Sequence, residues 1–171
     1  MRASRLGRYS WTMFDWANQP FYTLIMTFVF SVYFTDVFIA GEDGAQKLTL
    51  TQTISGLAIA LLSPVLGSIT DIKGSRKLLM GITSALFVLG MALLWYSPPG
   101  APDGIWLVMF GLILASAMVG FSEVFNNSVL STIETPENSG WLSGMGYGVG
   151  YIAGLIALIL FLIIFVWPGG E

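Results

Sequence analysis

Two groups of polar side chains, each centred on a carboxylate, stand inside apolar parts of the chain. The groups are Asp15 with Asn18 and Tyr22, and Glu123 with Asn126 and Asn127. At helical spacing the members of each group share one face. A carboxylate inside a membrane span is costly and normally faces protein or water, where it can exchange a proton or contact a polar solute. Both groups are candidate coupling or cavity sites, and the alternative is that both carboxylates reach headgroups or water near the cytoplasmic boundary.

The common signatures of enzyme active sites are missing from the sequence. The chain has no histidine and no cysteine, which removes the common metal-ligand sets and the histidine-based triads. It also has neither a Gly-x-Ser-x-Gly elbow nor a Walker loop. We therefore expect no enzyme activity, no metal site and no cofactor. A formal net charge of -3 gives no basic surface for nucleic acid.

The composition predicts that these groups lie in membrane-spanning helices. Of the 171 residues, 55% are hydrophobic and only 10% are charged, against about 25% charged in ordinary soluble domains. About 20 consecutive apolar residues cross a bilayer as a helix. The sequence predicts an all-α, polytopic membrane helical bundle that forms one domain over residues 1–171, with five spans at about 12–38, 48–70, 77–97, 104–130 and 139–166.

The orientation of the spans follows from the Lys and Arg residues, which are in excess in cytoplasmic loops. If the spans alternate, all of these residues except Lys47 fall on one side, so the amino terminus is expected in the cytoplasm. The membrane would be the plasma membrane in a bacterium, or a vacuolar or other internal membrane in a eukaryote. Five tryptophans lie near predicted span ends, as in an interfacial belt: Trp11, Trp95, Trp106, Trp141 and Trp167.

Two features predict how the first and fifth spans behave. Small residues at four-residue spacing let membrane helices pack closely, and span five carries two such ladders: Gly140, Gly144 and Gly148, and Gly146, Gly150 and Gly154. Packing is the favoured interpretation of these ladders, with a gating hinge as the alternative. In span one, Pro20 predicts either an interruption just after the Asp15 and Asn18 face or a tolerated kink.

The turn between spans two and three resembles the cytoplasmic loop signature of the major facilitator superfamily. The match rests on five residues: Gly67, Asp71, Gly74, Arg76 and Lys77. It departs from the signature at Ile72 and Ser75, where basic residues are usual. In physical terms Gly67 would let another helix approach closely, and the negative charge of Asp71 would interact favourably with the positive amino end of the next helix. An ordinary positive-inside turn is the alternative.

Two further stretches resemble one branch of that superfamily, the vacuolar amino-acid effluxers and their bacterial relatives. One runs from Trp11 to Phe21 and is followed by Tyr33-Phe34; the other runs from Glu123 to Leu130 and continues through Thr135-Pro136-Glu137 to Gly150-Tyr151. Near the second turn the branch often has basic residues, whereas this chain has Asn138, Ser139 and Trp141.

The resemblance implies a secondary transporter with two six-helix halves, of which this chain would supply the first five helices. An odd number of spans would then mean an incomplete polypeptide. Such a protein would move a small solute, with amino acids as the class that the branch suggests. A proton is the expected coupling ion, carried by Asp15 or by Glu123, and Glu123 is favoured because two amides follow it. Expected partners are the solute, protons, membrane lipids and either the remaining helices or a second copy. The alternative function is a non-transporting membrane scaffold that packs through the Gly-rich fifth helix.

Overall fold

In the part of the chain that the structure describes, every regular element is a helix, which confirms the predicted fold class. The computed structural model describes residues 3–73, 76–100 and 102–169. Five helical segments in it are long and apolar enough to cross a membrane. Their α-helices are α1 (Arg5–Pro20), α2 (Glu42–Lys73), α3 (Arg76–Leu93), α4 (Ile105–Ile133) and α5 (Pro136–Phe161).

Pro20 does not interrupt the first membrane segment. After α1 the chain continues as a π-helix from Phe21 to Phe28. A four-residue α-helical turn, Phe30–Tyr33, and a second π-helical stretch, Phe34–Phe38, complete the segment. Proline removes one backbone donor from the helix ladder, and the wider π winding follows directly after it. The irregular residue is Val29, with φ of -109°.

Several helix ends differ from the predicted spans. Helix α1 begins at Arg5 and α2 begins at Glu42, rather than near 12 and 48. The prediction rested on runs of apolar residues, which mark only the part of a helix suited to lipid. The Ser4 hydroxyl caps α1 by accepting the Gly7 N–H at 3.1 Å. Glu42 and Asp43 stand in the first turn of α2, where negative charge is favourable.

Short helical turns follow two of the long helices. A 3₁₀ turn, Leu94–Tyr96, extends α3, and another, Pro102–Gly104, precedes α4. A π-helical stretch, Leu162–Val166, and a 3₁₀ turn, Trp167–Gly169, extend α5. Pro136 occupies the first turn of α5, and the side chain of the preceding Thr135 makes no capping hydrogen bond.

The chain divides into two compact units. The first comprises Met1–Ser31 and Val129–Glu171, and the second comprises Val32–Ser128. In the first unit, α1 packs along α5. In the second, α2, α3 and most of α4 surround an apolar core of Ala117, Phe121 and Phe125, to which Ile59, Leu66, Leu79, Met80 and Met118 add partly buried side chains.

Glycine contacts bring α3 and α4 together in the second unit. A Cβ atom on Gly90 would lie 2.7 Å from the backbone nitrogen of Ala115 and from the carbonyl oxygen of Gly111. No side chain fits in so short a gap, so the two backbones meet there. Buried Thr83 and Ser122 hydroxyls share a hydrogen bond of 2.6 Å between the same helices.

Of the five tryptophans near the predicted span ends, one is buried and four are exposed. Trp95, Trp106, Trp141 and Trp167 are exposed, as an interfacial belt requires. Trp11 is 7% exposed and lies beside Gly146, whose Cβ position is 3.2 Å from its ring. Its ring therefore packs on the backbone of α5 rather than facing outward like the other four.

Candidate functional site

The Asp15 side chain lies against the backbone of α5 in the first unit. A Cβ atom on Gly146 would stand 2.6 Å from Asp15 Oδ2. One turn further, a Cβ atom on Gly150 would stand 3.3 Å from both the Cβ and the carbonyl oxygen of Asp15. Because glycine has no side chain, the partly buried carboxylate occupies the space that a larger residue would fill.

Asp15 has no compensating charge within the part of the chain that the structure describes. None of those residues forms an ion pair or a hydrogen bond with its carboxylate. One turn along α1, the Nδ2 atom of Asn18 is buried and also has no hydrogen-bond partner among the described residues. Buried polar groups are nearly always paired with protein or water. The unpartnered Asn18 Nδ2 and the Asp15 carboxylate therefore leave hydrogen-bonding capacity unused on this part of α1.

The glycine ladder beneath Asp15 continues along α5. A Cβ atom on Gly154 would meet the Thr23 hydroxyl and would lie 3.1 Å from Cγ of Gln19. Gly146, Gly150 and Gly154 thus form the surface that receives α1. On the second ladder, apart from the adjacent backbone of α5 itself, no atom of the described residues lies within 4 Å of a Cβ position on Gly140, Gly144 or Gly148, so that face of α5 is open.

Tyr22 is placed differently from the other polar residues of the first group. It lies in the π-helical stretch beyond Pro20, where the α-helical spacing that aligned it with Asp15 does not apply. It is partly buried, and its ring packs edge-on to Phe21 with centroids 5.5 Å apart.

The second polar group lies on α4, the helix with the largest buried share of the five. In the most apolar 18-residue stretch of α4, 67% is buried, against 11 to 17% in the corresponding stretches of the other four membrane segments. Glu123 is partly buried and Asn126 is 4% exposed, whereas Asn127 is exposed. The two amides therefore point into different environments, since adjacent helical residues project about 100° apart.

The loop motif is mostly helical where the structure describes it. Because α2 extends to Lys73, Gly67 and Asp71 stand in its last turns rather than in a turn region. None of the described residues approaches a Cβ position on Gly67. Arg76 and Lys77 begin α3. Gly74 and the Asp71 side chain lie outside the described residues.

An ion pair that the sequence analysis did not single out joins the start of α1 to the junction of α4 and α5. Arg8 Nη1 donates to Glu134 Oε2 at 2.8 Å, and the Glu134 side chain is 0% exposed. Glu134 Oε1 also accepts the Thr135 N–H at 3.0 Å, and Ala3 N–H donates to the Ile133 carbonyl at 3.0 Å. The partners are 126 positions apart, so no local spacing could have revealed them.

Removal of either partner of this ion pair should have unequal effects. Arg8→Gln removes the ion pair that Arg8 makes with the buried Glu134 carboxylate, so we expect a loss of about 1 to 2 kcal/mol in unfolding free energy. Glu134→Gln removes the charge and its need for a partner, so it should cost less. Denaturant titration of both single variants and the double variant would measure this. Strictly additive losses would show that the pair contributes no coupling.

Comparison with known proteins gives one informative similarity. The chain is 29% identical over 144 residues to the uncharacterized MFS-type transporter YxiO of Bacillus subtilis, an alignment that covers 81% of this chain. The chain spans about a third of the length of that relative, since the match covers 32% of it. No family model and no solved structure matches the chain. The chain is thus a multi-pass helical protein with distant homology to an MFS-type transporter, a class typically without enzyme activity, and this homology supports membership of the major facilitator superfamily.

Proposed function

We propose that the chain forms the first five helices of a secondary transporter that moves a small solute across a membrane by alternating access, coupled to a proton through Asp15. The observation that carries the proposal is the Asp15 carboxylate on the glycine surface of α5, without an ion-pair partner among the described residues. The homology to an MFS-type transporter supports solute transport. Amino acids are the solute class we propose, from the effluxer resemblance of the α1 and α4 stretches.

Proton exchange at Asp15 would bias the conformation of the transporter. Protonation removes a unit of charge from a group packed against the α5 backbone. The protonated and deprotonated forms of Asp15 therefore favour different amounts of water around the carboxylate. Any movement that opens or closes the α1 and α5 contact is then linked to the proton. Glu123, partly buried on α4, is the second candidate carrier, and the Asn18, Tyr22, Asn126 and Asn127 side chains are candidate solute contacts.

The loop residues and the orientation complete the proposal. We place the amino terminus in the cytoplasm because Arg2, Arg5 and Arg8 precede the apolar part of the first segment. The loop motif from Gly67 to Lys77 would then also be cytoplasmic. There it would act on the movement between inward and outward states rather than on solute affinity.

Transport by the complete protein tests the proposal. Proteoliposomes would be incubated with radiolabelled amino acids in the external medium, and a pH gradient of each sign would be imposed. We expect saturable accumulation with one sign and none after an ionophore collapses the gradient. Transport that ignores the gradient would remove the proton from the mechanism, and absence of saturable transport across the amino-acid panel would remove amino acids as the solute class.

The open ladder of Gly140, Gly144 and Gly148 favours a second candidate, a non-transporting scaffold that recruits a partner helix. The two functions differ in what the complete protein does in proteoliposomes. A scaffold never gives saturable uptake. A transporter does so when complete, whereas the 171-residue chain alone, which covers about a third of its relative's length, should not.

A further inference from the structure

A small polar pocket lies in the first unit, at the start of α1 and therefore at the opposite end of that helix from Pro20. Five residues line an open pocket of about 100 Å³: Arg5, Arg8, Tyr9, Trp141 and Met145. The volume is well below the ~300–1,000 Å³ of sites for drug-sized ligands, so the pocket suits one small polar group. Its lining combines two cations, two amphipathic rings and one thioether.

The charge of this pocket is positive. The carboxylate of Glu134 is hydrogen-bonded to Arg8 Nη1 and to the Thr135 N–H, so one Arg8 nitrogen is occupied, and the guanidinium carries five N–H donors in all. Arg5 is exposed and forms no ion pair with any residue that the structure describes. The pocket therefore retains one uncompensated cation beside a partly engaged one.

The aromatic lining of the pocket is of the kind that favours headgroup depth. Tyr9 is 56% exposed and Trp141 is 64% exposed, and both rings stand at the start of long apolar helices. Tyr and Trp favour the boundary between hydrocarbon and headgroups. Basic pockets between membrane helices on the cytoplasmic side bind anionic lipid headgroups, and arginine matches phosphate geometry by donating two hydrogen bonds.

We propose that the pocket lined by Arg5, Arg8, Tyr9, Trp141 and Met145 binds the phosphate group of an anionic phospholipid. Arg5 would supply the main charge, and Tyr9 and Trp141 would flank the headgroup. Such a lipid would join the start of α1 to the start of α5, beside the Arg8 and Glu134 ion pair. This site is independent of solute transport, since it requires only the contact of α1 with α5 in the first unit.

Native mass spectrometry of the full protein tests the site. Phosphatidylglycerol and phosphatidylcholine with the same acyl chains would be offered to the native sequence, to Arg5→Gln and to Lys47→Gln. Lys47→Gln is the matched control, because it makes the same charge change at a lysine that pairs with Asp43. One basic residue near a membrane surface changes lipid affinity about fivefold. We therefore expect the affinity for phosphatidylglycerol to fall about fivefold in Arg5→Gln and to stay unchanged in Lys47→Gln. Arg5→Lys should retain part of the affinity.

The remaining outcomes separate the two sources of phosphate. Millimolar inorganic phosphate should not displace phosphatidylglycerol, because a soluble ion lacks the acyl chains that hold the lipid beside the aromatic rings. If inorganic phosphate displaces the lipid, the site binds a soluble phosphate and the lipid assignment is overturned. Equal retention of the two lipids, or equal losses in Arg5→Gln and Lys47→Gln, would overturn the site altogether. Circular dichroism of each variant would confirm that the helices are intact.

Discussion

Asp15→Asn is expected to abolish proton-driven accumulation while exchange of solute down its own gradient continues. Asparagine preserves the size and most of the hydrogen-bonding capacity of the side chain on Gly146 and Gly150, so the contact of α1 with α5 should survive. What is lost is the titratable proton. Coupling free energies of about 1–3 kcal/mol correspond to about 5- to 150-fold effects, so the accumulation ratio in proteoliposomes should fall at least about fivefold.

Asp36→Asn is the matched control for this experiment. Asp36 follows α1 in the same membrane segment but is exposed, and its carboxylate accepts a hydrogen bond from the adjacent Thr35 hydroxyl. The same chemical change at that position should leave accumulation intact. If Glu123→Gln uncouples transport and Asp15→Asn does not, the proton is carried on α4, as the sequence first favoured. Full pH-dependent accumulation in both variants would reduce the two polar groups to solute contacts or packing.

Gly150→Leu is expected to destabilise the protein by about 1 to 3 kcal/mol, the usual cost of forcing extra carbon atoms into a packed contact. A Cβ atom at Gly150 already lies 3.3 Å from the Asp15 carbonyl oxygen, and the remaining leucine atoms extend further towards α1. The obstacle is backbone, which cannot rotate away as a side chain can. The free energy of unfolding, measured by circular dichroism in a denaturing-detergent titration, should therefore fall.

Gly148→Leu separates this packing effect from the general consequence of replacing glycine in a helix. Apart from the adjacent backbone of α5, no atom of the described residues lies within 4 Å of the Cβ position of Gly148. Leucine is favoured over glycine in helices by up to about 1 kcal/mol. The two substitutions should thus change stability in opposite directions, although they stand half a turn apart in the same helix. Equal losses at both positions would show that the two ladders are packed alike.

The sequence could not distinguish the two glycine ladders, because both have the same spacing. Only the position of α1 makes Gly146, Gly150 and Gly154 a packed surface and leaves Gly140, Gly144 and Gly148 open. The same holds for Trp11. Like the exposed tryptophans it lies near the end of an apolar run, but its ring is covered by α5. Local composition indicates that a helix face can pack closely, but it does not indicate which other helix it packs against.

The polar groups illustrate the same division. Spacing placed Asp15 and Asn18 together on α1, since three residues nearly complete a helical turn. That neither Asp15 nor Asn18 Nδ2 has a hydrogen-bond partner among the described residues depends on what surrounds them. Similarly, the Arg8 and Glu134 ion pair joins residues 126 positions apart, which only the contact of α1 with the α4 and α5 junction brings together.

What the sequence alone determined is the class of structure. A bilayer requires every span to satisfy its own backbone and to present apolar side chains, so five helices could be read from runs of residues along one chain. Tertiary structure decided which faces of those helices are covered, which carboxylate lies on bare backbone and which is paired with an arginine. Those properties arise because distant segments approach within a few ångströms, and that approach depends on the shape of both surfaces together.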